Sequence, residues 1–363
     1  MRVGSPKEIM NREFRVGITP SGARELVAAG HDVIIQTEAG AAIGFTDESY
    51  VRQGCKIAAN ADELFAAAEM IVKVKEPQPE EIARLETDHT LFTYLHLAPD
   101  PEQAKGLADS GATCIAYETV TDNAGKLPLL TPMSEVAGRL SIQAGAKYLE
   151  IANGGSGILL GGVTGVAPAN VVVIGGGVAG LNAAQMAIGL GANVTVLDRS
   201  TDRLRELNGL FDGRARTLFS TASAIDEAVQ VADLVVGAVL LPGAAAPKVV
   251  SAKQISKMRP GSVVVDVAID QGGCFETSRP TSHDEPVYDV DDVVHYCVTN
   301  MPASVARTST DALTNVTLPF MLALANKGPE KAMAEDHHLA AGLNVCDGNI
   351  VHPDVVASLN QLA

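Results

Sequence analysis

The sequence predicts an α/β protein: two Rossmann-like, doubly wound parallel-sheet domains joined by long helices. Three observations carry that expectation. Short β-branched runs alternate with amphipathic stretches through all 363 residues, which is the signature of βαβ units. The runs fall into two successive series, each long enough for its own sheet. The length itself suits about two domains.

The first series predicts strands over 2–4, 31–37, 70–75, 90–95 and 113–118. Thr19-Pro20 supplies an N-cap and a first helical residue, and Gly30 follows that helix's end. Asp100-Pro101 opens the helix after 90–95, with Gln103 in the capping-box position. A helix over 134–150 opens at Ser134, and its Ala137/Gly138 and Ala144/Gly145 pairs permit close packing. The second series predicts strands over 171–175, 192–198, 232–239, 262–268 and 294–299. A helix over about 308–327 follows, which Pro319 should kink or end early. The expected division is 1–130 with 306–363 as a substrate domain, and 131–305 as a nucleotide domain. The C-terminal part reads as a helical return to the first domain.

Hydrophobic residues make up 47% and charged residues 19%, which suits a globular chain with a sizeable core. The net charge of −16 argues against nucleic-acid or anionic-membrane partners, which would repel it. An anionic substrate would need a local cluster of positive groups. Five scattered cysteines without metal-ligand spacing read as reduced thiols, with neither a disulfide framework nor a metal site. The first residues lack the apolar core of a signal peptide, so a cytoplasmic protein is expected. No charged residue lies between Glu150 and Asp198. Its glycines and Pro168 rule out a membrane span, and a buried strand and packed helix are the expected cause.

Chemistry is most legible at Gly175-x-Gly177-x-x-Gly180, which follows VVVI and opens a helix closed by Gly191. Strand, turn and helix together predict a dinucleotide cradle. Gly175 makes the tight turn, Gly177 admits the pyrophosphate and Gly180 lets the helix approach the strand. Asp198 ends the next strand, where a carboxylate meets the adenosine ribose and repels a 2′-phosphate, favouring NAD over NADP. The plain alternative is a glycine-rich turn without a ligand.

Open α/β sheets bind ligands beyond the carboxyl ends of their strands. Lys75 and His96 stand at two such ends, one offering a point charge and the other a proton carrier near neutral pH. Lys73 is expected on the same strand face as Lys75. Arg15 lies in the loop before Thr19-Pro20, and its fork suits a carboxylate, or equally a salt bridge to Glu13. Asp270 follows the strand SVVVDVA, as a general base or as an ordinary turn aspartate before Gly272-Gly273.

With these residues in view, the chain resembles the bacterial alanine dehydrogenase family over essentially its full length. The matching stretches are MRVGSPKEIMNREFRVGITPSG, IVKVKEP, LFTYLHLA, MSEVAGRLSIQAGA, VVVIGGGVAG with VLD, VVVDVAIDQGGCFE and CVTNMPASVARTST. The related transhydrogenase subunit shares the scaffold and an RVGITP-like segment. The resemblance implies reversible NAD-dependent oxidation of L-alanine to pyruvate and ammonia, by a homohexamer. It implies that Arg15 and Lys75 hold the substrate carboxylate and that His96 and Asp270 exchange protons. Beside the glycine turn, it implies that Ser134, Val178, Ala179, Asp198, Arg203, Ser220, Val239, Leu240, Val267, Ala268, Ile269, Asp270, Arg279, Val298, Thr299, Asn300 and Met301 line the NAD site. Arg203 stands where the family is expected to carry a lysine. It implies no metal site. A hydride-passing component with a membrane partner, an inactive NAD-binding regulator and an opine- or lysine-forming dehydrogenase are the competing readings.

Overall fold

The structure, a computed structural model, describes residues 1–239 and 246–362. They form two compact units, one of residues 1–133 with those from 305 onward, the other Ser134–Ser304.

The first unit holds β1 (Arg2–Ser5), β2 (Asp32–Gln36), β3 (Lys56–Ala58), β4 (Met70–Val72), β5 (Thr90–Thr93) and β6 (Thr113–Ala116). The second holds β7 (Asn170–Ile174), β8 (Asn193–Asp198), β9 (Ala215–Phe219), β10 (Leu234–Gly237), β11 (Val263–Asp266), β12 (Val287–Val290) and β13 (Val293–Tyr296). β14 (Leu343–Cys346) and β15 (Asn349–Ile350) belong again to the first.

The first sheet runs β15-β14-β6-β5-β4-β1-β2-β3 and the second β12-β13-β11-β10-β7-β8-β9. Both are parallel through their centres, with antiparallel edges: β14 pairs against β6, and β12 against β13. The sheets are therefore mixed rather than wholly parallel. The C-terminal return, expected to be helical, carries the β14–β15 hairpin that extends the first sheet. β3, β9 and β12 are further strands that no apolar run announces.

Central strands such as β4, β5, β10 and β11 are buried on both faces, which explains their unbroken apolar runs. One core gathers Leu64, Phe65, Ile71, Leu91, Leu107 and Val345. The other gathers Val172, Ile174, Val229, Val235, Val264 and Phe275.

Several local signals act as expected. The Thr19 side chain accepts from Gly22 N at 3.1 Å, with Pro20 opening the helix Pro20–Ala28. Gly138 and Gly145 do permit close packing. A Cβ at 138 would lie 2.1 Å from Ala179 O, and one at 145 would lie 2.6 Å from the Leu234 side chain.

Others are corrected. The helix expected from Ser134 spans Thr131–Tyr148, because Leu127 O already collects the Leu130 and Thr131 N–H groups. Ser134 thus sits inside the first turns rather than at the cap. Asp100 caps Pro101–Ser110 through Gln103 N, yet the Gln103 amide reaches Leu95 O at 2.8 Å instead of closing a capping box. The helix Ala306–Lys327 does not end at Pro319, since buried Leu313, Met321 and Leu324 on either side of it favour continuation.

The charge-free run is only half explained by burial. β7 and the helix Val178–Gly189 are packed, but Ile151, Leu159, Val163 and Val166 are exposed. Among the described residues no helix is long and apolar enough to cross a membrane.

Candidate active site

The parallel part of each sheet reverses its strand order once, between β1 and β4 in the first and between β7 and β10 in the second. Such reversal points part the connecting loops and leave a crevice at the strands' carboxyl ends. In the first unit, the loop after β1 carries Arg15, the segment after β4 carries Lys75, and that after β5 carries His96.

The strands stop earlier than their apolar runs suggest, at Val72 and Thr93. Carboxylates take over the backbone beyond them. Glu8 Oε1 accepts from Val74 N at 2.7 Å and Lys75 N at 3.3 Å. Glu118 accepts from Leu95 N at 3.1 Å and His96 N at 2.6 Å. His96 consequently adopts φ 49°, a left-handed conformation few non-glycine residues take.

Lys73 and Lys75 part company for the same reason, because strand alternation has ended. Lys73 is fully buried, its ammonium 2.8 Å from Glu8 and 2.6 Å from Glu81. Lys75 is 14% exposed and lies 2.9 Å from Glu76 Oε2. That oxygen is also 3.3 Å from His96 Nδ1, so one carboxylate joins Lys75 and His96. The Tyr94 ring stacks on His96 at 5.6 Å, and its hydroxyl donates to Leu129 O.

These contacts set the charges. Burial works to raise Glu76, but the His96 hydrogen bond and the Lys75 charge outweigh it and hold the carboxyl at about 2. Desolvation works to lower His96, while the Glu118 charge and the Glu76 hydrogen bond leave it raised above the usual histidine range.

Arg15 is buried, and the salt bridge that competed with its anchor role is present. Its Nε lies 2.7 Å from Glu13 Oε1 and its Nη2 2.6 Å from Glu13 Oε2, while Nη1 faces the Met133 sulfur at 3.2 Å. Arg15 approaches the other two through Tyr94, with which it interacts electrostatically.

In the second unit, most of the residues named for a nucleotide stand at strand ends around the β7–β10 reversal. Gly175 has φ 99°, and Gly180 packs so tightly that a Cβ would lie 1.8 Å from Gly175 O. A Cβ at Gly177 would meet nothing within 4 Å, which leaves that face of the turn open. Val178 and Ala179 begin the helix behind it.

Asp198 ends β8, its Oδ2 accepting from Gly176 N at 2.6 Å and Oδ1 from Ser200 N at 2.7 Å. Ser220 N donates to Asp198 O. Arg203 Nε donates to Gly176 O at 2.5 Å, and its Nη1 pairs with Glu206. Arg203 thus buttresses the turn. The backbone of Val239 lies beside Gly175, whereas Leu240 falls outside the described residues.

Asp266, at the end of β11, closes the loop that carries Val267, Ala268, Ile269 and Asp270. Its carboxylate accepts from Ala268 N, Cys274 N, Phe275 N and the Ser278 hydroxyl. Burial leaves this carboxyl raised despite the four donors. Asp270 is exposed in the short turn Ile269–Gln271. Val298 bridges to Thr281, Thr299 N donates to Thr281 O, and Asn300 has φ 57° before the turn Met301–Val305. Arg279 is exposed and stacks over Tyr288, with 4.0 Å from its guanidinium carbon to the ring centre.

Sequence reasoning missed Glu8, Glu76, Tyr94, Glu118 and Asp266. The one available signal was their position beside or within strand-end segments already singled out.

The family model described as "Alanine dehydrogenase/PNT, N-terminal domain" matches residues 4–137, and "Alanine dehydrogenase/PNT, C-terminal domain" matches 141–353. The alanine dehydrogenase of Halomonas elongata is 63% identical over 97% of this chain and 95% of its own. That of Bacillus subtilis is 52% identical over 99% of this chain and 95% of its own. A solved L-alanine dehydrogenase, 52% identical, superposes with a TM-score of 0.97 over 100% of both chains. A transhydrogenase from Sinorhizobium meliloti shares the fold, with a TM-score of 0.83 at 24% identity over 97% of this chain and 99% of its own. The chain therefore belongs to the alanine dehydrogenase/PNT family and is an oxidoreductase of the alanine dehydrogenase kind.

Proposed function

We propose that the enzyme converts L-alanine reversibly to pyruvate and ammonia with NAD, holding substrate on residues 1–130 and 306–363 and cofactor on 131–305. The observation that carries the cofactor choice is Asp198. Its carboxylate is fixed against the glycine turn through Gly176 N, and a fixed negative charge there disfavours a 2′-phosphate. The open face at Gly177 fits the pyrophosphate. The turn 175–180 with Asp198 and Ser220 would hold the adenosine side. Val239, Leu240, Val267–Asp270 and Val298–Met301 would hold the nicotinamide side, with Ser134, Arg203 and Arg279 bordering it. When bound, the nicotinamide accepts the hydride leaving the substrate α-carbon.

The chain's own residues do the rest. Arg15 and Lys75, each already paired with a neighbouring acid (Glu13 and Glu76), hold the substrate carboxylate together, with the Arg15 fork fixing its orientation. His96 and Asp270 perform the acid–base work. They remove a proton from the α-ammonium so that the carbon can be oxidised, then activate the water that adds to the resulting iminium. A returned proton releases ammonia.

NADH formation from NAD with L-alanine, set beside glycine, serine and lysine and with NADP in place of NAD, tests this reading. Turnover of alanine with NAD is expected; turnover of lysine alone, or none with alanine, overturns it. Lys75→Ala should abolish turnover while NAD binding survives, and near-wild-type turnover would remove Lys75 from the site. We also propose a cytoplasmic homo-oligomer, a hexamer by resemblance, supported by the exposed Ile151, Leu159, Val163 and Val166. A monomeric mass in sedimentation would overturn the assembly.

A further inference from the structure

We propose that Glu76 is a positioning residue for His96 and Lys75 together: its carboxylate fixes which His96 nitrogen exchanges protons while holding the Lys75 ammonium beside it. The inference rests on the reading of His96 as the proton-transfer group.

Three contacts hold His96, and each addresses a different part of it. Glu118 takes the N–H groups of Leu95 and His96 and so holds the backbone in its left-handed conformation. Tyr94 covers one face of the ring, with an interplanar angle of 21°. Glu76 alone addresses a ring nitrogen, with Oε2 at 3.3 Å from Nδ1.

A carboxylate accepts and does not donate, so the neutral ring must carry its proton on Nδ1. The lone pair then stands on Nε2, which has no hydrogen bond among the described residues. The His96 side chain is 44% exposed, and with Nδ1 turned to Glu76 the nitrogen left for a substrate amine or a water is Nε2. Glu76 stays ionised over the working range, as its depressed pKa requires, and remains an acceptor throughout.

The same Oε2 is 2.9 Å from Lys75 Nζ. A single short side chain, next to Lys75 in sequence and 20 residues from His96, therefore sets the spacing of the proton carrier and the carboxylate anchor. The charged or titratable groups facing His96 are Tyr94 after β5, Glu118 on the turn Tyr117–Thr119, and Lys75 and Glu76 after β4. Glu118 acts on the ring through charge alone, since its oxygens are taken by backbone N–H groups.

The test uses the full-length enzyme with Glu76→Gln, which keeps the side chain's size and removes its charge. Histidine-ring NMR follows the tautomer and titration of His96, identified by the signal lost in His96→Gln. The wild-type ring is expected to hold its neutral proton on Nδ1 and to titrate above the usual histidine range. In Glu76→Gln the tautomers should mix and the midpoint should move to lower pH. The rising limb of kcat/KM for alanine against pH should move down with it.

Glu76→Asp retains the charge and should restore the raised midpoint at least in part. A midpoint as low as in Glu76→Gln would assign the effect to packing and overturn the proposal. An unchanged tautomer and midpoint in Glu76→Gln would overturn it as well. Should His96→Gln turn over alanine normally, the catalytic reading of His96 fails, yet the ring titration still decides whether Glu76 governs His96.

Discussion

The ends of β4 and β5 in the first unit and the end of β7 in the second solve one problem by opposite means. Each must hold an irregular backbone segment at a sheet's carboxyl edge. At β4 and β5 the device is charge. Glu8, Glu118 and the buried Lys73 take up the backbone and one another where the ladder stops. At β7 the device is the absence of side chains, because glycines let turn, helix and neighbouring loop approach within distances no Cβ allows. The difference follows the ligand each segment is read to hold. A small amino acid must be met by charged side chains, whereas a pyrophosphate is met by backbone N–H groups that side chains would screen.

The steric device should be the less forgiving of the two. Gly180→Ala places a Cβ 1.8 Å from Gly175 O, and backbone cannot yield as a flexible side chain can. We expect a loss of about 4 kcal/mol or more in urea unfolding of the second unit, and loss of NAD binding. Unfolding within about 1 kcal/mol of wild type would mean that the turn relaxes readily, and the contrast between the two regions would fall.

Lys73→Met attacks the charged device. Removing the ammonium leaves Glu8 and Glu81 buried side by side with backbone donors but without the counter-charge they share. Breaking a buried pair in this way costs about 3–5 kcal/mol. Low pH should relieve part of that cost. Burial and the neighbouring Glu81 raise the Glu8 carboxyl even in the wild type, and without Lys73 it rises further, so acid neutralises it more easily than in the unfolded chain. The variant should therefore lose less stability near pH 5 than near pH 8. A deficit independent of pH would show that packing, not charge, is what Lys73 supplies.

Asp266→Asn falls between the devices, since Asp266 in the second unit organises a loop by charge as Glu8 does in the first. An amide oxygen can replace only part of a carboxylate that serves Ala268, Cys274, Phe275 and Ser278. One buried donor left unserved costs about 1–3 kcal/mol. Thermal unfolding should report that loss, together with a lower kcat as the loop bearing Asp270 loosens. Unchanged kcat at reduced stability would separate Asp266 from the site.

The same contrast explains what the sequence made legible. The glycine turn was readable because a Cβ at Gly180 would meet Gly175 five residues away, and because the motif itself fixes where Asp198 must stand, at the next strand's end. The charged device was not, because Glu8 and Lys73 are 65 residues apart and no recurring motif ties Glu118 to His96. Lacking those partners, alternation extended β4 to Lys75 and put Lys73 on its face. Arg15 was legible as a charge, but only the fold shows Glu13 occupying half its fork. β14 and β15 escaped notice because a four-residue and a two-residue strand pair by position rather than by apolar pattern.

The smallest stability effect is expected at Gly177, and it probes function most directly. This residue caps the helix Val178–Gly189 with φ −62°, which alanine adopts without strain, and its Cβ would meet nothing within 4 Å. Folding alone therefore gives no reason for glycine here, and Gly177→Ala should unfold within about 1 kcal/mol of wild type. A methyl on the open face would nevertheless hold a pyrophosphate away from the backbone N–H groups. NAD affinity measured by calorimetry should fall by at least about tenfold, in line with a lost or lengthened charge-assisted hydrogen bond. Set beside Gly180→Ala, the pair divides the motif into a residue kept for the fold and a residue kept for the ligand. If Gly177→Ala binds NAD as tightly as the wild type, the open face is not where the pyrophosphate lies, and the cofactor must approach the turn from another side.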